Sequence, residues 1–481
     1  MGCHSDPDWR SFGAENAKWG PTASLPCMTQ APPTPVTPTP QPPPRFVTGS
    51  LMRHIVVMAG TGAIGLVAIF AVDLINLLYI AMLGEQAIAA AVGFAGVVAF
   101  FHLSVFIGML IGIAAVVSRR IGAHQMDEAR GIATSSILIS TAMGVLLALA
   151  TLVFLQPLLH LLGARGRELE LAHGYLTISL PSTVLLGVGM ACSALLRSVG
   201  DARRAMLVTL LPAIATAVLD PLFIFTLGWG LDGAAAVMVI ARVVLAGVGL
   251  YGAWRVHRLL APVQWHRLRG DARTLFAVAG PAIVTNLATP VGAAFVTHSM
   301  AQFGTSAVAG QATIDRLSPV VFGLIYALSG AIGPVLAQNL GARQYDRVRE
   351  GLRASLWFMV ASVAVAWLLL ALLQEPIIRL FALQGVGADM LHAFCSWIAL
   401  YFFFLGALFV ATATFNNLGR PLWSTGFNWA RATLGTIPFA WWGSHYGAVQ
   451  VLAGQALGAA LFGSLALWAA WRLTRRLGQA A

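Results

Sequence analysis

Charge is what this sequence has least of. Only 10% of its 481 residues are Asp, Glu, Lys or Arg, and Lys18 is the sole lysine, so nearly all the positive charge is arginine. A soluble domain carries roughly 25% charged residues, so too little polar surface is present to wrap a globule of this size. Sulfur is equally thin. Cys3 and Cys27 lie in a polar tail and Cys192 and Cys395 in apolar segments, a scatter that excludes a disulfide framework or cysteine metal spacing. No His-Glu-x-x-His, Gly-x-Ser-x-Gly or phosphate-binding loop occurs, which removes the constellations an intramembrane enzyme needs. His102, His160, His298 and His392 show no paired spacing across two spans, so no haem, metal or other cofactor is expected.

What is present is apolar. Hydrophobic residues make up 58% of the chain and mean hydropathy is +0.79. Lipid must therefore be the outer solvent, and only helices or closed barrels can span it. Barrel strands alternate over about ten residues, whereas these stretches run unbroken past about 20, as membrane helices require. Hydropathy and helix breakers place spans near 54–83, 87–118, 132–161, 173–196, 205–228, 233–256, 274–303, 307–337, 351–381, 388–415, 422–443 and 447–471. The expected fold class is all-α and integral to the membrane, with twelve transmembrane helices.

The net charge of +11 raises the question of nucleic acid until the arginines are placed. One set of loops carries Arg119, Arg120, Arg130, Arg197, Arg203, Arg204 and the cluster from Arg255 to Arg273. The same set continues with Arg343, Arg347, Arg349, Arg353, Arg420, Arg472, Arg475 and Arg476. The alternate loops hold only Arg165, Arg167 and Arg379. This is the positive-inside pattern. It predicts both termini in the cytoplasm of a multi-pass inner-membrane protein, with lipid and not nucleic acid as its partner.

Residues 1–50 differ in kind. The run APPTPVTPTPQPPP at 31–44 cannot be helical and reads as a disordered Pro/Thr-rich tail without the apolar core of a secretory signal. Met28 is an alternative start that would remove residues 1–27. The expected organisation is this tail, a first lobe at 51–256 (helices 1–6), an inter-lobe loop at 257–273, and a second lobe at 274–475 (helices 7–12).

The two lobes repeat one another. GEQAIAAA at 84 resembles GTSAVAGQ at 304, RIGAHQMDEAR at 120 resembles NLGARQYDRVR at 339, and LLRSVGDAR at 195 resembles FNNLGRPLW at 415. Gly122 falls over Gly341, Asp127 over Asp346 and Gly200 over Gly419, always with a shift of 219 or 220. Six helices per copy keep the copies parallel, related by an axis along the membrane normal. Two such lobes enclose a cleft that can open to either side in turn.

Residues 195–242, with an Arg-x-x-Gly-Asp loop, the Asp220-Pro221 pair and a Gly-Ala-Ala helix start, resemble the multidrug and toxic compound extrusion (MATE) transporters. So do VDLINLLYIAMLGEQAIAAA at 72–91 and VLAQNLGARQYDRV at 335–348. The likeness covers about 51–475. It implies two six-helix lobes and export of small organic, often cationic or amphipathic, compounds by a monomer in exchange for protons or sodium. The departures are informative. Met58 stands where the family often has a proline, Thr216 where an asparagine usually precedes the helix-5 aspartate, and Met238 and Arg242 replace a threonine and a glutamine. Thr289 stands where the sodium-type branch has a glutamate, and 401–411 offer none of its carboxylates. The resemblance therefore favours protons over sodium, and the DinF-like branch.

Charge inside the membrane points the same way. A bare carboxylate at mid-bilayer costs about 2.5–3.5 kcal/mol even on the lenient insertion scale, and low dielectric disfavours its charged form. Asp73, near the middle of helix 1, and Asp220, before the helix-breaking Pro221, are the candidate proton-coupling residues. Arg242 lies at comparable depth, and a salt bridge to Asp220 would make that carboxylate structural. Thr216, Arg242, Asn286, Asp315 and Arg316 are the candidate cavity-lining positions. The alternatives are a sodium-coupled MATE exporter, a lipid-linked precursor flippase or another twelve-helix carrier, and an uncoupled channel.

Overall fold

A computed structural model describes residues 44–478 apart from positions 84 and 382. The tail at 1–43 lies outside them. Every regular element among the described residues is helical. The spans are α1 (Leu51–Met82), α2 (Gln86–Gly122), α3 (Met126–Val153, continued by Leu155–Leu161), α4 (Gly166–Ser198), α5 (Ala202–Thr226) and α6 (Gly230–Val256). The second set is α7 (Trp265–Ala301), α8 (Thr305–Val321 and Gly323–Gly341), α9 (Tyr345–Leu380), α10 (Val386–Ser396 and Ile398–Asn417), α11 and α12 (Ala448–Arg475). Helix α11 runs in three pieces, Pro421–Ala430, Arg431–Gly435 and Ile437–Ser444, the middle one a π turn. Eleven of these spans are long and apolar enough to cross a membrane. The interrupted α11 is the twelfth.

Two boundaries move from their sequence expectations. The charged run 265–273, assigned to the inter-lobe loop, is helical and extends α7, with Asp271 accepting a 2.6 Å hydrogen bond from Ser135 of α3. Of residues 44–50, assigned to the tail, Pro44, Phe46 and Val47 are buried. Phe46 is 1% exposed and belongs to the core of the second lobe together with Leu51, Ile55 and Met58 of α1. Its N–H donates to Gln338 Oε1 at 3.0 Å, and its carbonyl accepts from Asn339 at 3.1 Å and Arg347 at 3.2 Å. Arg45 donates to the carbonyl of Gly200 in the first lobe at 2.7 Å. Proline-rich composition to the N-terminal side hid a strap that joins both lobes.

The lobes meet where α1 packs along α8 and α2 along both α7 and α8. At the arginine-rich end the approach is backbone on backbone. A Cβ on Gly122 would strike the carbonyl of Gln338, and one on Gly341 the carbonyl of Arg119. Only glycine permits so close a contact. Beside it, Arg119 donates to the carbonyl of Asn417 at 2.6 Å, and Gln338 donates to that of Ser198 at 2.6 Å.

The repeat seen in sequence is also conformational. His124 and Arg343, 219 positions apart, are left-handed with φ of 59° and 57°. Gly200 and Gly419, also 219 apart, share φ of 82° and 80°. Non-glycine residues rarely adopt that region, so two matched pairs identify the same turn built twice.

Candidate transport site

Two of the candidate residues, Asp220 and Asn286, sit where helices are broken. Asp220 closes the regular part of α5. Pro221 follows and the chain continues as a π turn, Leu222–Thr226. Asn286 is the last residue before the break of α7 at Leu287. Arg431 opens the π turn of α11. Within a bilayer, irregular backbone is tolerated where protein buries it or where it lines a cavity, and π turns recur at functional positions.

Asp220 is 1% exposed, and neither carboxylate oxygen has a hydrogen-bond partner among the described residues. The Arg242 bridge anticipated as a possible neutralising partner is not formed. Arg242, 9% exposed, donates to the Ser179 carbonyl at 3.0 Å, Ser182 Oγ at 2.9 Å and Thr183 Oγ1 at 3.4 Å of α4. These three acceptors converge on one guanidinium nitrogen, Nη1, without a carboxylate.

Asp73 stands 22 residues from the start of α1 and nine from its end, so it lies away from the arginine-rich end and not at mid-helix. Its side chain is accessible. Tyr175 of α4 is within electrostatic reach of Arg242, Asp220 and Asp73 together. Asn76, one turn on from Asp73, buries an amide oxygen that has no partner among the described residues. His102, 1% exposed, bonds Thr151 Oγ1 at 2.9 Å and feels the Arg242 charge. Thr216 donates to the Pro212 carbonyl at 3.1 Å, one turn before Asp220.

The second lobe is arranged differently. Asp315 and Arg316 of α8 are both accessible, and Asp315 accepts from Gln311 at 2.9 Å. Asn286 bonds the Ala282 carbonyl of its own helix at 2.8 Å. Arg431 lies within electrostatic reach of Tyr326 and Tyr401.

Sequence reasoning missed Tyr175, Asn76, Gln311 and the Ser179, Ser182, Thr183 cradle. The cradle carried a partial signal: Ser182 and Thr183 are adjacent hydroxyls in an apolar stretch, whereas the Ser179 contribution is a backbone carbonyl that no side-chain pattern announces.

The MatE family matches residues 63–222 and again 281–442. The chain belongs to the MATE transporter family. The two matched stretches are offset by 218 at their starts and 220 at their ends, within a residue or so of the internal repeat, so each lobe of this MATE chain is one family unit. It is a transporter and not an enzyme. The FAD transporter of Shewanella oneidensis is 29% identical over 416 residues, 85% of this chain and 91% of that protein. The multidrug export protein MepA of Staphylococcus saprophyticus is 23% identical over 327 residues, 66% of this chain and 72% of that protein. Among solved structures, the Vibrio cholerae MATE transporter VcmN in its bent form superposes with a TM-score of 0.84 at 24% identity, covering 89% of this chain and 98% of that one. The fold expected from sequence, twelve helices in two lobes, is the fold of this family.

Proposed function

We propose that this transporter exports small organic, cationic or amphipathic compounds in exchange for protons, by alternating access. Asp73 and Asp220 carry the proton, and Thr216, Asn286, Asp315 and Arg316 line the path of the cargo. The observation that carries the reading is Asp220: buried, beside a broken helix, with both oxygens unpartnered. An unpaired buried carboxylate is costly as an anion, so a proton must occupy it whenever the pocket is dry. Opening to water releases that proton. Arg242, tied to α4, positions the pocket without neutralising the carboxylate. The arginine-rich loops face the cytoplasm on this reading, as do both chain ends, and the membrane is the inner one. The carboxylates missing at Thr289 and 401–411 favour protons over sodium and the DinF-like branch.

The test is efflux of a cationic dye from proteoliposomes under an imposed pH gradient. Efflux should collapse with an uncoupler and fall at least about tenfold in Asp73→Asn and Asp220→Asn. Efflux that ignores the uncoupler and requires sodium overturns the proton assignment.

A second reading concerns cargo. Arg316 is accessible within α8 and has no ion pair among the described residues, and the Shewanella relative is an FAD transporter. An anionic flavin nucleotide would find a counter-charge there. The same vesicles loaded with FAD instead of dye discriminate the two, since FAD efflux without dye efflux selects the anionic cargo.

A further inference from the structure

At the arginine-rich end of the second lobe, the first turns of α11 and the last turns of α12 leave a groove of about 770 Å³. Trp423 and Phe427 form one wall and Phe462 and Trp468 the other, with Arg420, Arg472 and Arg476 on the rim. Trp423 and Trp468 are 44% and 55% exposed. Helix α11 enters this end of the fold and α12 leaves it, so the groove runs from the headgroup level into the apolar zone.

The rim charges are unanswered. Four other arginines on this face meet carboxylates: Arg120 pairs with Glu128, Arg130 with Asp127, Arg204 with Asp201 and Arg349 with Asp346. Among the described residues Arg420, Arg472 and Arg476 form no such pair. The sequence explains why, since no Asp or Glu occurs from Met390 to Ala481. The Arg472 guanidinium lies 3.9 Å from the Trp468 ring centroid. Stacking of that kind fixes the plane of the group and leaves its in-plane N–H donors unused. The end of α12 is itself held, because Arg349 donates to the carbonyls of Thr474 at 3.3 Å and Leu477 at 2.6 Å.

We infer that this groove binds an anionic phospholipid of the leaflet on the arginine-rich side. The lipid's phosphate meets Arg420, Arg472 and Arg476, and one acyl chain lies along Phe427, Phe462 and Trp468. Guanidinium groups bind phosphate through paired charge-assisted hydrogen bonds. Basic pockets between spans hold anionic headgroups, and tryptophan sits at the same interfacial level. A free phosphate would use the rim and leave the aromatic walls unexplained.

The test uses the purified full-length chain in detergent, with phosphatidylglycerol or phosphatidylcholine of matched acyl chains. Thermal unfolding and retention in native mass spectrometry are the readouts. Phosphatidylglycerol should raise the unfolding temperature by several degrees and remain bound, and phosphatidylcholine should do neither. The variant R420Q/R472Q/R476Q should weaken retention by roughly a hundredfold. Equal retention of the two lipids overturns the inference, as does an equal shift with millimolar inorganic phosphate, which would reassign the rim to a free anion. Should the triple variant not fold, a photoactivatable phosphatidylglycerol on the unmodified protein decides. Labelling concentrated in the peptides carrying 423–427 and 468–476 supports the site, and labelling spread evenly over the helices overturns it.

Discussion

Arg242 and Asp220 occupy the same lobe without meeting: the guanidinium is spent on Ser179, Ser182 and Thr183 of α4, and both oxygens of the carboxylate stay unbonded. Stability and transport therefore separate at these positions. Asp220→Asn puts a neutral amide where the buried carboxyl must otherwise take up a proton to avoid an uncompensated charge. Its unfolding temperature in detergent should equal or exceed that of the unmodified chain while gradient-driven efflux is lost. A large fall in unfolding temperature would show a structural partner for the carboxylate.

Arg242→Gln takes away a charged donor shared by three acceptors, and such hydrogen bonds are worth about 1.5–3 kcal/mol. Denaturation should register a loss of about 2 kcal/mol. A Thr183→Val change in the same background should then cost little, because Arg242 is the hydrogen-bond partner of that hydroxyl.

Gly122→Ala and Gly341→Ala each drive a methyl group into the backbone of the opposite helix. Overpacking of this kind costs about 1–3 kcal/mol. Either change alone should separate α2 from α8, so the double variant should cost clearly less than the sum of the two. Unfolding midpoints of the three variants form the cycle that checks this, and full additivity would mean the two contacts are independent.

Phe46→Ala empties a fully buried site, a change that costs about 3–5 kcal/mol elsewhere. The loss should appear as a lowered unfolding midpoint. A shift near zero would mean that the strap contributes nothing to the second-lobe core.

Asp201 caps α5 by accepting from Arg204 N–H at 3.0 Å, and it meets the Arg204 guanidinium at 2.6 Å and His257 at 2.7 Å. Burial alone would push its carboxyl up, but the hydrogen bonds from His257 and Arg204 outweigh that and hold it below the ordinary carboxylate value. A depressed carboxylate stabilises the fold above its unfolded pKa, near 4, and loses that contribution as pH falls through the lower folded value. The gap between the unmodified chain and Asp201→Asn, followed by thermal unfolding, should stay constant from pH 7 to about 5 and close below about 4.

The spans were legible because hydropathy reports burial in lipid directly, and α11 was found even though its backbone is broken at Arg431. The duplication was legible because the turn at His124 and Arg343 needs the same local chemistry twice. Asp73 and Asp220 stood out as charges in apolar helices. Depth was harder. Asp73 sits off-centre, 22 and nine residues from the ends of α1, and the hydropathy of the span is too uniform to show that. The partners of Arg242 lie about 60 residues away in sequence, and only packing reveals that two hydroxyls and a backbone carbonyl, not a carboxylate, receive it. The residues 265–273 looked like loop because their charge suits water, yet a helix can carry the same charge beyond the bilayer.

The glycine contact at the seam has one more implication. Gly122 presses on the segment around Gln338 while Gly341 presses on the segment around Arg119, and these segments are copies of one another. An interface in which i touches j′ and j touches i′ is isologous, the form a homodimer uses. A half-length chain of six spans thus carries a surface that fits its own twin in parallel orientation, and gene fusion of two such subunits would yield this architecture.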